Sequence, residues 1–150
     1  MKRAVAASIF ILGIVVCGIG AAIAGETPSA AGAEEYFVNL KDGDTVKSPF
    51  KVVFGLSGMG VAPAGTEAEN TGHHHLFIDV PPLGQGEEGA DELDANIPSD
   101  EHHMHFGKGQ TETMLNLPAG KHTLQLVLGD KDHIPHNPPV ASERITITVE

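Results

Sequence analysis

The stretch KHTLQLVLGD, residues 121–130, decides the fold because its side chains alternate as those of a half-buried β-strand do. One face of this strand carries His122, Leu124, Leu126 and Leu128. The opposite face carries mostly polar side chains. No helical periodicity competes with this pattern, so the segment predicts a strand with one face in the core.

Six other segments show the same short β-type pattern, and Gly- or Pro-containing turns separate them. Together with 121–130, the predicted strands cover residues 35–40, 50–56, 73–80, 102–106, 111–117 and 144–150. Regularly spaced short strands are typical of sandwiches. The sequence therefore predicts an all-β fold, an immunoglobulin-like antiparallel β-sandwich of about seven strands.

The N-terminal segment predicts export. Lys2 and Arg3 precede an uncharged run that ends in Ala22-Ile23-Ala24, a pattern that signal peptidase cleaves. We expect a signal peptide over 1–24, a flexible linker over 25–34 and the sandwich domain over 35–150. Cleavage after Ala24 gives a periplasmic or secreted protein that is not held by the membrane; a retained signal would anchor it there.

Composition narrows the function classes. The net charge is −11, and it becomes −13 once Lys2 and Arg3 are removed. Such an acidic chain is not expected to bind nucleic acid. The single cysteine, Cys17, lies in the predicted signal peptide, which excludes a disulfide framework in the mature chain. Nucleophile-elbow, phosphate-loop and dinucleotide motifs are absent, so an enzyme is not favoured.

Nine histidines are the main chemical signal. Two predicted strands contain His-x-His, at His73 and His75 and at His103 and His105. Alternate residues of a strand lie about 6.5–7 Å apart on one face, so two imidazoles can converge on one ion. A histidine from another strand would complete the site, and His122 is the candidate.

The predicted metal ligands are therefore His75, His103, His105 and His122, with His73, His74, His133 and Met104 as alternates. Glu112 could orient an imidazole through its second nitrogen. Neutral imidazoles suit copper or zinc, and a thioether ligand would favour Cu(I). For the two His-x-His pairs, the sequence fits equally well an alternative in which these histidines only form polar strand surfaces and bind no metal.

The acidic segment PPLGQGEEGADELDANIPSDE, residues 81–101, carries seven carboxylates. A long loop of this kind is either functional, as a lid or a cation-attracting rim, or a solvated insertion. We expect the solvated, mobile insertion.

Four segments together resemble a family of bacterial exported domains of unknown function, over residues 45–149. They are GHHHLFID (72–79), HMHFGKGQTET (103–113), LPAGKHTLQLVLGDKDH (117–133) and RITITV (144–149). The resemblance implies a small exported β-sandwich and supplies no reaction. The family pattern falls on His74, His75, His103 or His105, Gly107, Gln110, Thr111, Glu112, Gly120, His122, Asp130 and His133.

Two functions remain open from the sequence. The first is an exported module that binds copper or zinc. The second is a non-catalytic periplasmic accessory domain, with a protein partner, whose histidines are structural or sense pH near their ordinary pKa of about 6.5.

Overall fold

The computed structural model describes residues 25–150. The predicted signal peptide, 1–24, lies outside the described residues. Among those described, no helix is long and apolar enough to cross a membrane.

The described chain is built of β-strands, which confirms the predicted all-β class. The strands are β1 (Glu34–Phe37), β2 (Thr45–Val46), β3 (Phe50–Ser57), β4 (Gly60–Val61), β5 (Thr71–Ile78), β6 (His103–His105), β7 (Glu112–Leu115), β8 (Gly120–Gly129) and β9 (Ile145–Val149). The strands β2 and β4 add to the seven that were predicted. Each has two residues, which is too short to show alternation in the sequence.

The strands form two sheets that make a sandwich. The smaller sheet has the order β1-β3-β7, and the larger has the order β2-β9-β8-β5-β4, with β6 also paired to β5. The short strand β2 pairs in parallel with β9, and the short strand β4 pairs in parallel with β5. All other strand pairs are antiparallel, as predicted. Strand β5 is thus central, since β8 lies along one edge and β6 along the other.

The core between the sheets follows the predicted alternation. Leu76 and Ile78 of β5 and Leu124 and Leu126 of β8 are buried in one cluster. That cluster also holds Phe50, Val52, Phe54, Phe106, Leu115, Ile145, Ile147 and Val149. Since successive strand residues point to opposite faces, His73, His75 and Phe77 of β5 must face away from this core.

The acidic segment 81–101 covers part of that outer face. Its Ile97 is buried with Phe77 of β5 and Val127 of β8 in a second apolar cluster. The Leu83 N–H donates to Oε1 of Gln125 at 3.0 Å. The segment, which includes a 3₁₀ helix at Gly89–Leu93, is therefore packed on the sheet, in contrast to the solvated insertion expected from the sequence.

The segment expected to be a flexible linker, 25–34, also makes defined contacts. The Ser29 N–H donates to the Asn137 carbonyl oxygen, and the Asn137 N–H donates to the Thr27 carbonyl oxygen. The Gly25 N–H donates to the Leu93 carbonyl oxygen at 3.0 Å. Residues 25–29 therefore lie as a short strap against the loop that follows β8.

Candidate metal centre

Four histidines meet on the outer face of the larger sheet. His73 and His75 come from β5, His105 from β6, and His133 from the loop after β8. One ring nitrogen from each lies within 4.8 Å of those of the other three. We call these four residues the histidine cluster; its members are brought together from three separate parts of the chain.

Strand register explains why His75 and His105 meet. They are direct partners in the antiparallel β5–β6 pair, and their rings lie nearly parallel with centroids 5.2 Å apart. His73 lies two residues before His75 on the same face, and the centroids of these two rings are 4.7 Å apart. The predicted convergence of neighbouring imidazoles on a strand face is therefore what the structure shows at this point.

Two glycines leave room for the rings. A Cβ at Gly129 would lie 2.5 Å from Cε1 of His75, and one at Gly107 would lie 2.4 Å from Nε2 of His105. Contacts this short do not occur, so a side chain at either position would displace a ring of the cluster. Gly107 was noted in the sequence only as part of the family resemblance.

Hydrogen bonding leaves much of the cluster unsatisfied. His73 Nε2 and His133 Nδ1 are 3.0 Å apart, so one donates a proton to the other. Both nitrogens of His75 and Nε2 of His105 are buried without a partner among the described residues. A buried polar atom without a partner is costly, and an ion shared by the rings would supply the missing interaction.

Burial and the neighbouring imidazoles keep three rings of the cluster, those of His73, His75 and His105, in the neutral form. Burial, followed by the neighbouring imidazoles His133 and His105, lowers the pKa of His73 to about 4. Burial, followed by the imidazoles of His73, His105 and His133, lowers the pKa of His75 to about 2. Burial and His133 also lower the pKa of His105. Neutral imidazole is the form that binds metals, so these three rings are in the ligating state at neutral pH.

Ligand bonds of 2.0–2.1 Å in a tetrahedral site place the nitrogens about 3.4 Å apart. The 4.8 Å limit of the histidine cluster exceeds this by about 1.4 Å, so the rings would have to close in slightly around an ion. The cluster therefore has the donor type, number and approximate spacing of a metal centre.

His133 enters the cluster from a tight turn. The turn closes when the His133 N–H donates to the Asp130 carbonyl oxygen and the Asp130 N–H donates to that of Ile134. His133 itself has φ +67°, in the left-handed region that β-carbon sterics disfavour. Strained backbone conformations cluster at functional sites, and here the strain falls on a member of the histidine cluster.

We predict that His133→Gly leaves an apo protein more stable than His133→Ala by about 1 kcal/mol. Both variants remove the imidazole, but only glycine adopts a positive φ without steric cost. Urea denaturation of the two metal-free variants measures the difference. Equal stability, or a more stable alanine variant, would contradict the strain at this residue.

Two of the predicted ligands lie apart from the cluster. His103 shares the face of His105 but packs edge-on against Phe77, and its Nδ1 is 2.9 Å from an Asp100 carboxylate oxygen. His122 lies five residues before Val127, the β8 partner of His75, or about 17 Å along the strand. Both its ring nitrogens have partners, Oδ2 of Asp79 at 2.7 Å and the Pro118 carbonyl oxygen at 2.9 Å.

The other named residues are also elsewhere. Met104 packs against the core cluster between the sheets. Glu112 lies on β7 of the smaller sheet and forms an exposed ion pair with Lys51 at 2.9 Å. The structure thus brings together His75, His105 and the alternates His73 and His133, and it places His103, His122, His74, Met104 and Glu112 outside the cluster.

The His122–Asp79 pair should stabilise the fold without affecting the cluster. Burial lowers the pKa of His122, but its hydrogen bonds to Asp79 and Pro118 and the Asp79 charge outweigh this and raise it. The stabilisation is then fully present below pH about 6.5 and is lost as the pH rises through the raised pKa.

We therefore expect His122→Asn to destabilise the protein by about 1 kcal/mol at about pH 6, and by less at about pH 8.5. Its metal affinity should equal that of the wild type. Urea denaturation at the two pH values and zinc titration check the two parts. A destabilisation that grows towards high pH would contradict the assignment.

His74 points into the sandwich, as its alternation with His73 and His75 predicts. Its Nδ1 is 2.6 Å from Oε1 of Glu35 on β1, and both side chains are fully buried. Burial raises the pKa of Glu35 well above its usual value and lowers that of His74 to about 4. The contact is therefore a neutral hydrogen bond that joins the two sheets rather than an ion pair.

Sequence reasoning missed Glu35, since a carboxylate at the edge of a predicted strand ordinarily faces solvent. It also assigned no role to Asp130 and Gly129, which hold the His133 turn and make room for His75. A glycine followed by an aspartate at the end of a long strand is typical of a turn, and that signal could have indicated both residues.

The fold and the cluster together define a small β-sandwich with a four-histidine candidate metal centre on one sheet face. The model of one family, Domain of unknown function (DUF4399), matches residues 52–150. This is about two thirds of the chain, so the chain belongs to that family, in agreement with the resemblance seen in the sequence. Searches of curated proteins and of solved structures found no match.

Proposed function

We propose that this protein is an exported module that binds one transition-metal ion through His73, His75, His105 and His133. The observation that carries the proposal is the convergence of one nitrogen from each of these side chains within 4.8 Å. The buried, unpartnered nitrogens of His75 and His105 support it, because metal ligation would satisfy them.

The donor set favours zinc or copper. Four imidazole nitrogens suit both ions, whereas magnesium and calcium prefer oxygen ligands. In the part of the chain that the structure describes, the cluster includes no carboxylate and no thiolate. Because Met104 packs in the core, the argument for Cu(I) from a nearby thioether is weaker than the sequence indicated. Zn(II) and Cu(II) are the preferred candidates.

The lowered pKa values of His73 and His75 mean that a metal ion would not have to displace protons from these two rings at neutral pH. Metal must compete with protons for imidazole, and at neutral pH His73 and His75 carry no excess proton to displace. Exposed histidines of ordinary pKa would release protons on binding at pH about 6.5. Near-zero proton release from these two ligands is thus a property of the proposed site.

We further propose that the module functions outside the cytoplasm, after cleavage near Ala24 and Gly25. The basic start, the apolar run and the Ala-x-Ala ending support this. N-terminal sequencing of the protein from the exported fraction tests it. A mature chain that begins at Gly25 supports cleavage, and a retained Met1 would overturn it.

Calorimetric titration of protein 25–150 with Zn(II) and Cu(II) tests the metal proposal. We expect a single strong site per chain for at least one ion. Removal of His103, which shares the sheet face but lies outside the cluster, serves as the matched control and should leave affinity within about threefold. Binding no tighter than that of a short histidine peptide would overturn the proposal.

The accessory-domain alternative is favoured by the histidines that already have protein partners. His74 pairs with the neutral carboxyl group of Glu35 and His122 with the carboxylate of Asp79, and both contacts are structural. Under this function, the protein would show no specific metal site, and its self-association or partner binding would change between about pH 5 and pH 7.5 with chelator present. The same titration, with sedimentation at both pH values, separates the two functions.

A further inference from the structure

The strap at residues 25–29 reaches the loop that carries His133 through one side-chain contact. The Thr27 hydroxyl donates to Oδ2 of Asp130 at 2.6 Å. This contact spans 103 positions of the sequence. Backbone hydrogen bonds to Asn137 hold the Thr27 carbonyl oxygen and the Ser29 N–H, so the backbone that carries the Thr27 hydroxyl is itself fixed.

The other oxygen of the same carboxylate organises the turn around His133. Oδ1 of Asp130 accepts from the N–H of Asp132 at 2.8 Å and from the N–H of Ile134 at 3.0 Å. The residue between these two donors is His133, whose φ of +67° needs support from its surroundings. Thus one carboxylate fixes the backbone on both sides of a proposed ligand.

We propose that Thr27 and Asp130 are positioning residues that set the orientation of His133 in the metal centre. This inference rests on the proposed function and goes beyond it by assigning control of one ligand to the strap. Thr27 fixes the Asp130 carboxylate, Asp130 fixes the turn, and the turn directs the His133 imidazole towards His73, His75 and His105.

The effect should appear in metal affinity more than in global stability. Asp130 lies at the end of β8, outside both apolar clusters, so the Thr27 hydroxyl contributes nothing to core packing. Groups that orient a metal ligand typically change affinity by about 10–100-fold when they are removed. We therefore expect a clear loss of affinity from a change that removes only this hydroxyl.

The test compares Thr27→Val, Thr27→Ser and Ser29→Ala in protein 25–150. Valine keeps the shape of threonine and removes the hydroxyl, whereas serine keeps the hydroxyl. Ser29→Ala is the matched control, since the Ser29 hydroxyl lies on the same strap but donates to the Pro138 carbonyl oxygen at 2.8 Å. Zn(II) affinity is measured by calorimetry, and apo stability by thermal melting.

We expect Thr27→Val to bind Zn(II) at least about tenfold more weakly than the wild type. Thr27→Ser and Ser29→Ala should remain within about threefold, at similar melting temperatures. The proposal is overturned if Thr27→Val stays within threefold, or if Ser29→Ala weakens binding as much as Thr27→Val does. In the second case the whole strap, and not this hydrogen bond, would support the site.

A second readout needs no metal and separates this inference from the proposed function. The amide protons of Asp132 and Ile134 donate to Asp130, so their hydrogen exchange should accelerate in Thr27→Val and stay slow in Thr27→Ser. If the wild type binds neither Zn(II) nor Cu(II), the proposed function fails, and hydrogen exchange alone decides whether Thr27 holds the turn through Asp130. Unchanged exchange in Thr27→Val would then overturn the positioning claim.

Discussion

His75→Leu is expected to make the metal-free protein more stable while it removes metal binding. His75 is fully buried, and within residues 25–150 neither of its ring nitrogens has a hydrogen-bond partner. Leucine has a similar volume and carries no polar atom, so the cost of burying two unpartnered nitrogens disappears. We expect a gain of about 1–3 kcal/mol in the free energy of unfolding of the apo protein.

The same change removes one of the four proposed ligands. We expect zinc affinity to fall by more than about 100-fold, beyond the effect of losing an orienting group. Opposite effects on stability and binding are the signature of a residue that is kept for function at the expense of the fold. Urea denaturation with chelator and calorimetric titration measure the two quantities.

His103→Leu is the matched control for this experiment. His103 lies on the same sheet face but has a hydrogen-bond partner in Asp100 and remains partly exposed. Its replacement should not raise stability and should leave zinc affinity within about threefold. A metal-free His75→Leu protein that is less stable than the wild type, or that binds zinc equally well, would contradict the assignment of His75.

Acid is expected to unfold the metal-free protein through its buried histidines. Burial lowers the folded-state pKa of His73 and His74 to about 4, and that of His75 further, to about 2. The unfolded chain, with pKa values near 6.5, therefore binds more protons as the pH falls. Stability is full above pH about 6.5 and decreases steadily towards pH about 4.

The expected loss is on the order of several kcal/mol by pH 4, since each unit of pKa shift corresponds to about 1.4 kcal/mol. This is comparable to the total stability of a typical domain. The raised pKa values of Glu35 and His122 act in the opposite direction, because each loses its stabilisation as the pH rises. Three buried imidazoles with lowered pKa values should outweigh them in this pH range.

Urea denaturation of the apo protein at several pH values between about 4.5 and 7.5 checks this prediction. His122→Asn serves as a control that should keep the steep decrease, since its imidazole is not among those with lowered pKa. Stability that stays constant or rises as the pH falls from 6.5 would contradict the neutral, buried state of these rings.

Much of the fold could be predicted because alternation records which face of a strand is buried. The sequence predicted that Leu124 and Leu126 lie on the buried face of their strand, and the structure agrees. The same alternation in β5 puts Leu76 in the core and His73 and His75 on the outer face. Strands β2 and β4 could not be predicted, because two residues are too few to show the alternation of buried and exposed side chains.

The site could be predicted only in part, because alternation says nothing about which strands are neighbours. His105 meets His75 through the β5–β6 register, which no local pattern encodes. His122 shares the face of the core leucines on β8, but its cross-strand partner is Ile147 of β9 and its ring bonds to Asp79 rather than to another histidine. His133 depends on a turn that Asp130 and the distant Thr27 hold in place.

X-ray absorption at the zinc edge of the one-to-one complex with protein 25–150 tests the central claim most directly. We predict a first coordination shell dominated by imidazole nitrogens at about 2.0–2.1 Å, with a smaller imidazole count in His75→Leu and an unchanged one in His103→Leu. A shell of oxygen atoms alone, or the same imidazole count in wild type and His75→Leu, would contradict the account.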